Sequence, residues 1–191
     1  PGHGLPPVHW RGVYPANGAG ATAVTVAPNP SLTLNCDQSF QPVQYESPSM
    51  DAPDLQTFLN NSKDVLASGP VAMIFVEDLV EVDSTIHHHL NLGFKGLILF
   101  APPELRLSED LPPIVHRVNF DCHADNALTD AVNAVIKAAP PATWLYYCHN
   151  AEYLYYPFCE TRTVGELLAF HAEDRRASML CYVVDLSADV L

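Results

Sequence analysis

The sequence predicts an α/β domain, a mostly parallel sheet with flanking helices, preceded by a Pro-rich loop and β extension. Three observations carry this. Residues 71–76 and 96–100 are continuous apolar runs, short enough to be strands covered on both faces. Between them the apolar residues recur at helical spacing, so strand, helix and strand form one βαβ unit with an expected right-handed crossover. A third apolar run, 143–148, ends in His149-Asn150-Ala151-Glu152. Such an ending marks the carboxyl edge of a sheet, where open α/β folds bind their ligands.

Taken in order, ten of the 17 prolines fall in residues 1–70 among Asn, Ser, Gly and Gln, which excludes long helices and defines an extension joined near Gly69-Pro70 to a domain over 71–191. Inside the extension, 21–27 and 31–34 alternate as strands do. Residues 54–68 predict one helix with a stripe of Leu55, Phe58 (or Leu59) and Val65 (or Leu66). After the strand at 71–76, Asp78 is expected to cap a helix that packs Leu79, Val82, Ile86 and Leu90, and Gly93 suits its left-handed stop. Pro102-Pro103 ends the strand at 96–100, and 114–118 is the next strand. Asn126 caps a helix through Leu128, Val132, Val135 and Ile136, stopped by Pro140-Pro141. Thr163 and Glu166 have capping-box spacing, and 179–186 is a last strand.

At 191 residues and 20.9 kDa the chain fits one domain with an appendage, and 48% hydrophobic content suits a packed core. Nine Lys plus Arg against 22 Asp plus Glu give a net charge of -13, which repels phosphate backbones and anionic lipid. Nucleic acid is therefore excluded as a partner, whereas an anionic small molecule would need a cation or a helix N-terminus to neutralise it. The 5 cysteines lack C-x-x-C spacing and read as reduced thiols of a cytoplasmic protein. No apolar stretch reaches the roughly 18 residues of a membrane span.

The polar clusters set out the candidate chemistry. His149, Asn150 and Glu152 offer an imidazole, an amide and a carboxylate, so His149 with Glu152 could hold Mn²⁺ or Mg²⁺ against a diphosphate. Alternatively, their polar groups cap a strand-end loop. Glu77 and Asp78 end the first strand on the same edge and could accept hydrogen bonds from a ribose or base, with Asp78 also an N-cap. His87-His88-His89 cannot share one ion, because successive helical residues point about 100° apart. His88 is expected to face outward with His87 and His89 flanking the apolar stripe. Cys122-His123 and Cys148-His149 lack the further ligands that zinc needs. No G-x-S-x-G, Walker or G-x-G-x-x-G pattern occurs, which argues against a hydrolase elbow, a P-loop and an ordinary dinucleotide site.

The order and spacing of Phe75-Val76-Glu77-Asp78, of the His-bearing run 86–94 before Leu97-Ile98-Leu99-Phe100, of Trp144 followed by Glu152-Tyr153-Leu154, and of residues 163–168 resemble one family. Over 71–191 the chain is similar to the N-terminal, nucleotide-binding half of a family-two-like glycosyltransferase of the GT-A fold, a Rossmann-like sheet. In such enzymes the first strand ends in Asn-Glu and the Trp-led strand in Asp-x-Asp-Glu-Phe-Leu. Here these are Glu77-Asp78 and His149-Asn150-Ala151-Glu152, and only Glu152 keeps its place. The resemblance implies that Glu77, Asp78, Glu104 and Asn150 lie by a nucleotide-sugar donor and that His149 and Glu152 lie by a divalent cation, Mn²⁺ or Mg²⁺. It also implies transfer of the sugar to an acceptor hydroxyl. The alternative is a non-catalytic glycan- or protein-binding module on the same fold, using Tyr146, Tyr147, Tyr153, Tyr155 and Tyr156. A divalent-metal hydrolase on the same acidic edge is a third reading.

Overall fold

A computed structural model describes residues 8–12, 51–108 and 111–184. The elements in order are β1 (Val8–Gly12), β2 (Asp51–Ala52), α1 (Leu55–Asn61), α2 (Lys63–Ala67), β3 (Val71–Phe75), α3 (Val82–Asn91), β4 (Gly96–Ala101), β5 (Val115–Asn119), α4 (Ala127–Ala138), β6 (Trp144–His149), α5 (Val164–Glu173) and β7 (Ser178–Cys181). The strands form one sheet in the order β2-β5-β4-β3-β6-β1-β7. From β2 to β6 all neighbours are parallel, and β1 lies antiparallel between β6 and β7. The chain is thus an α/β protein with a mostly parallel sheet, as the apolar runs predict.

Every residue of β3 and β4 is buried because helices cover both faces of the sheet. Period-two alternation divides these strands between two cores. On one face Ala72, Ile74, Leu97 and Leu99 meet Val82 and Ile86 of α3 and Val164 and Leu168 of α5. On the other, Met73, Phe75, Ile98 and Phe100 meet Phe58 of α1, Leu66 of α2 and Ala131, Val132 and Val135 of α4. The rings of Phe75 and Phe100 stack at 4.7 Å, and Phe120 meets Phe100 edge-on at 5.3 Å. Each fully buried Leu, Ile or Phe contributes on the order of 1.5–3 kcal/mol. Residues 51–67, which precede the join expected near Gly69-Pro70, supply β2 beside β5 and place Phe58 and Leu66 in this second core.

Several expected elements differ in detail. The helix expected over 54–68 is two, α1 and α2, broken at Ser62 after Asn60 and Asn61, side chains that compete with helical hydrogen bonds. Asp54 caps α1, its Oδ1 accepting the Thr57 N–H at 2.8 Å. Asn126 occupies the N-cap of α4 in the left-handed region (φ 59) without a side-chain capping bond. Thr163 and Glu166 form the complete capping box of α5. Gly93 is left-handed (φ 88), and a Cβ there would lie 3.2 Å from Cβ of Thr163, so glycine suits both the backbone and the space. The runs 21–27 and 31–34, and the end of the strand expected at 179–186, lie outside the described residues. No helix among the described residues is long and apolar enough to cross a membrane.

The phase of α3 is the main correction. It begins at Val82, behind a left-handed Glu81 (φ 55), and not at Asp78. Leu79 is 56% exposed, and the buried face is Val82, Thr85, Ile86 and His89. The outward histidine is therefore His87, while His88 is half-buried and His89 is in the core. Internal partners satisfy the two buried polar groups. Thr85 Oγ1 donates to Glu81 O at 2.6 Å and accepts the Ala151 N–H at 2.9 Å. His89 Nδ1 lies 2.8 Å from Thr85 O, and its Nε2 is 3.8 Å from Cys148 Sγ.

Burial, the largest cause in each case, lowers both His89 and His116 from 6.5 to about 4. An unfolded chain takes up these protons near 6.5, so between 6.5 and about 4 the unfolded state binds more protons than the folded one. Stability is accordingly full above that window and falls as the pH drops through it, by up to about 1.4 kcal/mol per pH unit for each ring. Urea denaturation followed from pH 7.5 to 5 should show this slope, and a His89→Leu variant should lose about half of it whatever its absolute stability.

Candidate functional site

The strand order reverses between β3 and β6, since the chain builds outward from β3 through β4 to β5 and then returns to the other flank of β3. Loops leaving two parallel strands part at such a point, which leaves their polar ends free to meet. Phe75 and His149 are register partners there, and the Asn150 N–H donates to Phe75 O at 3.0 Å.

Asn150 joins the two loops. Its Oδ1 accepts the Glu77 N–H at 3.0 Å, and its Nδ2 donates to Asp78 Oδ1 at 2.8 Å and to Val80 O at 2.9 Å. Asp78 Oδ1 also accepts the Val80 N–H at 2.8 Å, so this carboxylate caps the turn before α3 and not the helix itself. Asn150 was expected to face the nucleotide, but both its amide hydrogens and one carbonyl lone pair are engaged within the protein. Ala151 then turns left-handed (φ 61), opposite the left-handed Glu81.

Glu77 and His149 face each other. Glu77 Oε1 lies 3.5 Å from His149 Nδ1, an ion-pair distance when the ring is charged. The geometry is too poor for a hydrogen bond, and Nδ1 is enclosed without a hydrogen-bond partner. The imidazole lies toward the Phe75 ring, 6.1 Å away. Glu152 takes a different part. Its Oε2 accepts the His149 N–H at 2.8 Å and closes the strand-end turn. Burial first, and the Glu152 charge next, push the Cys148 thiol up. Cys148 and Tyr146 belong to the core face opposite that of Phe75. His149 and Glu152, expected to share a metal, are thus joined through the backbone, and the carboxylate facing the imidazole is that of Glu77.

Glu104 stands exposed on the turn after β4, where the Leu105 N–H donates to Pro102 O at 3.1 Å. Arg117 of β5 holds this turn through Nη2 to Pro102 O at 3.0 Å and to Leu105 O at 2.9 Å. Among the described residues no hydrogen bond or ion pair links Glu104 to Glu77, Asp78 or His149. A neighbour that the sequence did not single out for this edge is Cys122, after β5. Its thiol donates to Phe100 O at 3.2 Å and is pushed up to about 12, by burial first, with the charges of Glu77 and Asp121 adding to it. A thiol so protonated is a poor zinc ligand, and sequence spacing gave no sign of its approach to Glu77.

Among the described residues no group of three or more His, Cys, Asp or Glu side chains is placed to hold a metal. A hollow of about 390 Å³ lies at the amino edge of the sheet, between Pro70, Pro141, Trp144, Gly165 and Leu168. A second, of about 280 Å³, separates α4 from β3 and β6, with Met73, Val132, Leu145 and Tyr147 in its walls. Neither includes the acids, so Glu77 and Asp78 form an exposed ledge. Such a ledge can accept hydrogen bonds from hydroxyls or amines, and the exposed Glu77 carboxylate can present oxygen to a cation, with the enclosed His149 Nδ1 3.5 Å from it.

Asn150→Ala would remove the bridge between the loops and leave the Glu77 N–H unpaired. Its expected cost is about 2 kcal/mol in urea denaturation. Protease cleavage within 77–81 should quicken in the same variant, as a direct readout of the freed loop. No known protein family, curated protein or solved structure matches the chain.

Proposed function

We propose that the chain is a GT-A-like domain that binds a nucleotide sugar and belongs to a glycosyl-transfer system. The observation that carries this reading is the meeting of Glu77, from just past the end of β3, with His149, from the end of β6, at the point where strand order reverses. Open α/β sheets take nucleotides at that point. The resemblance to family-two-like glycosyltransferases adds support, because its matched segments fall on β3, α3, β4, β6 and α5 in the expected order. Glu77 and Asp78 present carboxylate oxygens suited to ribose hydroxyls or a base edge, while Asn150 holds the Glu77 N–H and the Asp78 carboxylate in place.

A donor diphosphate brings negative charge to a protein of net charge -13, so the reading needs a cation. Mg²⁺ and Mn²⁺ in phosphate-transfer sites often use one or two protein ligands and complete their shell with phosphate oxygens and water, so a larger cluster is unnecessary. Adjacent ligands of such an ion stand about 3 Å apart at bond lengths near 2.1 Å. Glu77 Oε1 and the unpartnered His149 Nδ1, 3.5 Å apart, come close to that spacing. In this reading Glu77 and His149 hold the ion, and Glu152 fixes the backbone of His149. The cation would supply charge neutralisation of the departing diphosphate.

Calorimetric titration with nucleoside diphosphates and their sugars, with and without Mn²⁺, tests the proposal. Expected are Mn²⁺-dependent heat and an at least tenfold weakening by Glu77→Ala and by His149→Ala. Absence of heat with every nucleotide, or binding indifferent to both substitutions, would overturn it.

A further inference from the structure

Beyond Glu152 the chain continues the alternation of a half-buried strand. Leu154 and Tyr156 enter the core, whereas Tyr155 turns outward and Tyr153 is only partly covered. The five tyrosines considered for a binding surface therefore divide. Tyr146 is buried, and Tyr156 is buried with its hydroxyl donating to Arg162 O at 2.7 Å, whereas Tyr155 is 70% exposed.

His88 of α3 stands between the rings of Tyr153 and Tyr155, its centre 5.3 Å from each. Its Nε2 lies 2.9 Å from Leu154 O, which fixes the imidazole against which the two tyrosine rings lie. A polar rim adjoins the aromatic shelf. Tyr153 Oη is 2.8 Å from Ser84 Oγ and donates to Glu81 Oε2 at 3.4 Å, and Ser84 also donates to the Glu81 carboxylate. Glu81 is held in the left-handed region, a conformation of the kind that concentrates at ligand-binding segments.

An exposed tyrosine ring against His88, with the Tyr153 ring on the same imidazole and the Glu81 carboxylate and Ser84 hydroxyl bonded to Tyr153 beyond it, has the chemistry of a sugar site. The negative face of the ring suits the C–H face of a pyranose, and the rim oxygens suit its hydroxyls. A net charge of -13 disfavours an acidic partner, while a neutral saccharide meets no electrostatic penalty. We propose that this shelf binds a neutral saccharide, with one pyranose on Tyr155 and its hydroxyls toward Glu81, Ser84 and Tyr153. The inference stands apart from the nucleotide-sugar reading. Should both hold, the shelf, on the loop directly after Glu152, would take the acceptor.

The test is saturation-transfer NMR on the protein without nucleotide or metal, using di- and trisaccharides built from glucose, galactose and N-acetylglucosamine. Saturation should reach the C–H protons of one pyranose face in at least one of these sugars. Tyr155→Ala should weaken that binding at least tenfold, Glu81→Gln severalfold, and Tyr155→Phe little. The exposure of Tyr155 means that its alanine variant should keep the parent's thermal midpoint. Transfer from none of the sugars, or transfer that survives Tyr155→Ala, would overturn the shelf and leave the donor calorimetry unaffected.

Discussion

Burial of the central strands on both faces is the constraint on which the rest depends. β3 and β4 carry no polar side chain, because a polar group there would need an internal hydrogen-bond partner on a wholly apolar face. Polar chemistry can then appear only where a strand ends. The first such positions after β3 are Glu77 and Asp78, and the last residue of β6 is His149. Parallel pairing of β3 with β6 in the register Phe75↔His149 brings those ends level with one another, and the ledge follows from that register. A shift of one residue would turn His149 toward the opposite core face and separate it from Glu77.

The fold was legible wherever one physical signal acted alone. Continuous apolar runs gave β3, β4 and β6, and the Thr163-to-Glu166 spacing gave the cap of α5, because strand burial and capping depend on a few adjacent residues. The phase of α3 was not legible. Leu79 looks like a core residue and Thr85 and His89 do not, yet Leu79 is exposed and the helix buries Thr85 and His89. Their partners, the Ala151 N–H and the Cys148 thiol, lie some sixty residues away, so no local pattern reports them. Site residues divide in the same way. Glu77, Asp78 and His149, as candidates, are legible in the sequence as polar residues ending apolar runs. The engagement of Asn150 and Glu152 with backbone, and the approach of Cys122, depend on tertiary contacts that spacing does not encode.

Charge gives the ledge its character. Glu77, Asp78 and Glu81 are exposed within one loop, and Asp121 follows β5 close enough to Glu77 for both charges to act on the Cys122 thiol. Arg117 of β5 is turned to the carbonyls of Pro102 and Leu105 and serves the loop after β4. An anion arriving here meets acids first, whereas a cation or a neutral hydroxyl-rich ligand meets matched acceptors. That asymmetry is common to the two proposals, a metal-bridged diphosphate at Glu77 and His149 and a neutral sugar at Tyr155, since each respects the same local field.

How the ledge keeps its shape follows from its backbone. Glu81 and Ala151 both adopt the left-handed region, at roughly 1–2 kcal/mol each for residues with a side chain. Packing does not offset this, because Leu79 and Val80 beside Glu81 are exposed. Hydrogen bonds do. Thr85 holds Glu81 O and the Ala151 N–H, and Asn150 holds the Glu77 N–H, Asp78 and Val80 O. Two side chains thus fix two strained turns against each other, and neither turn could relax without releasing the other. A ligand at this edge would meet acceptors already in place, which lowers the ordering cost of binding and suits an open ledge that cannot rely on enclosure.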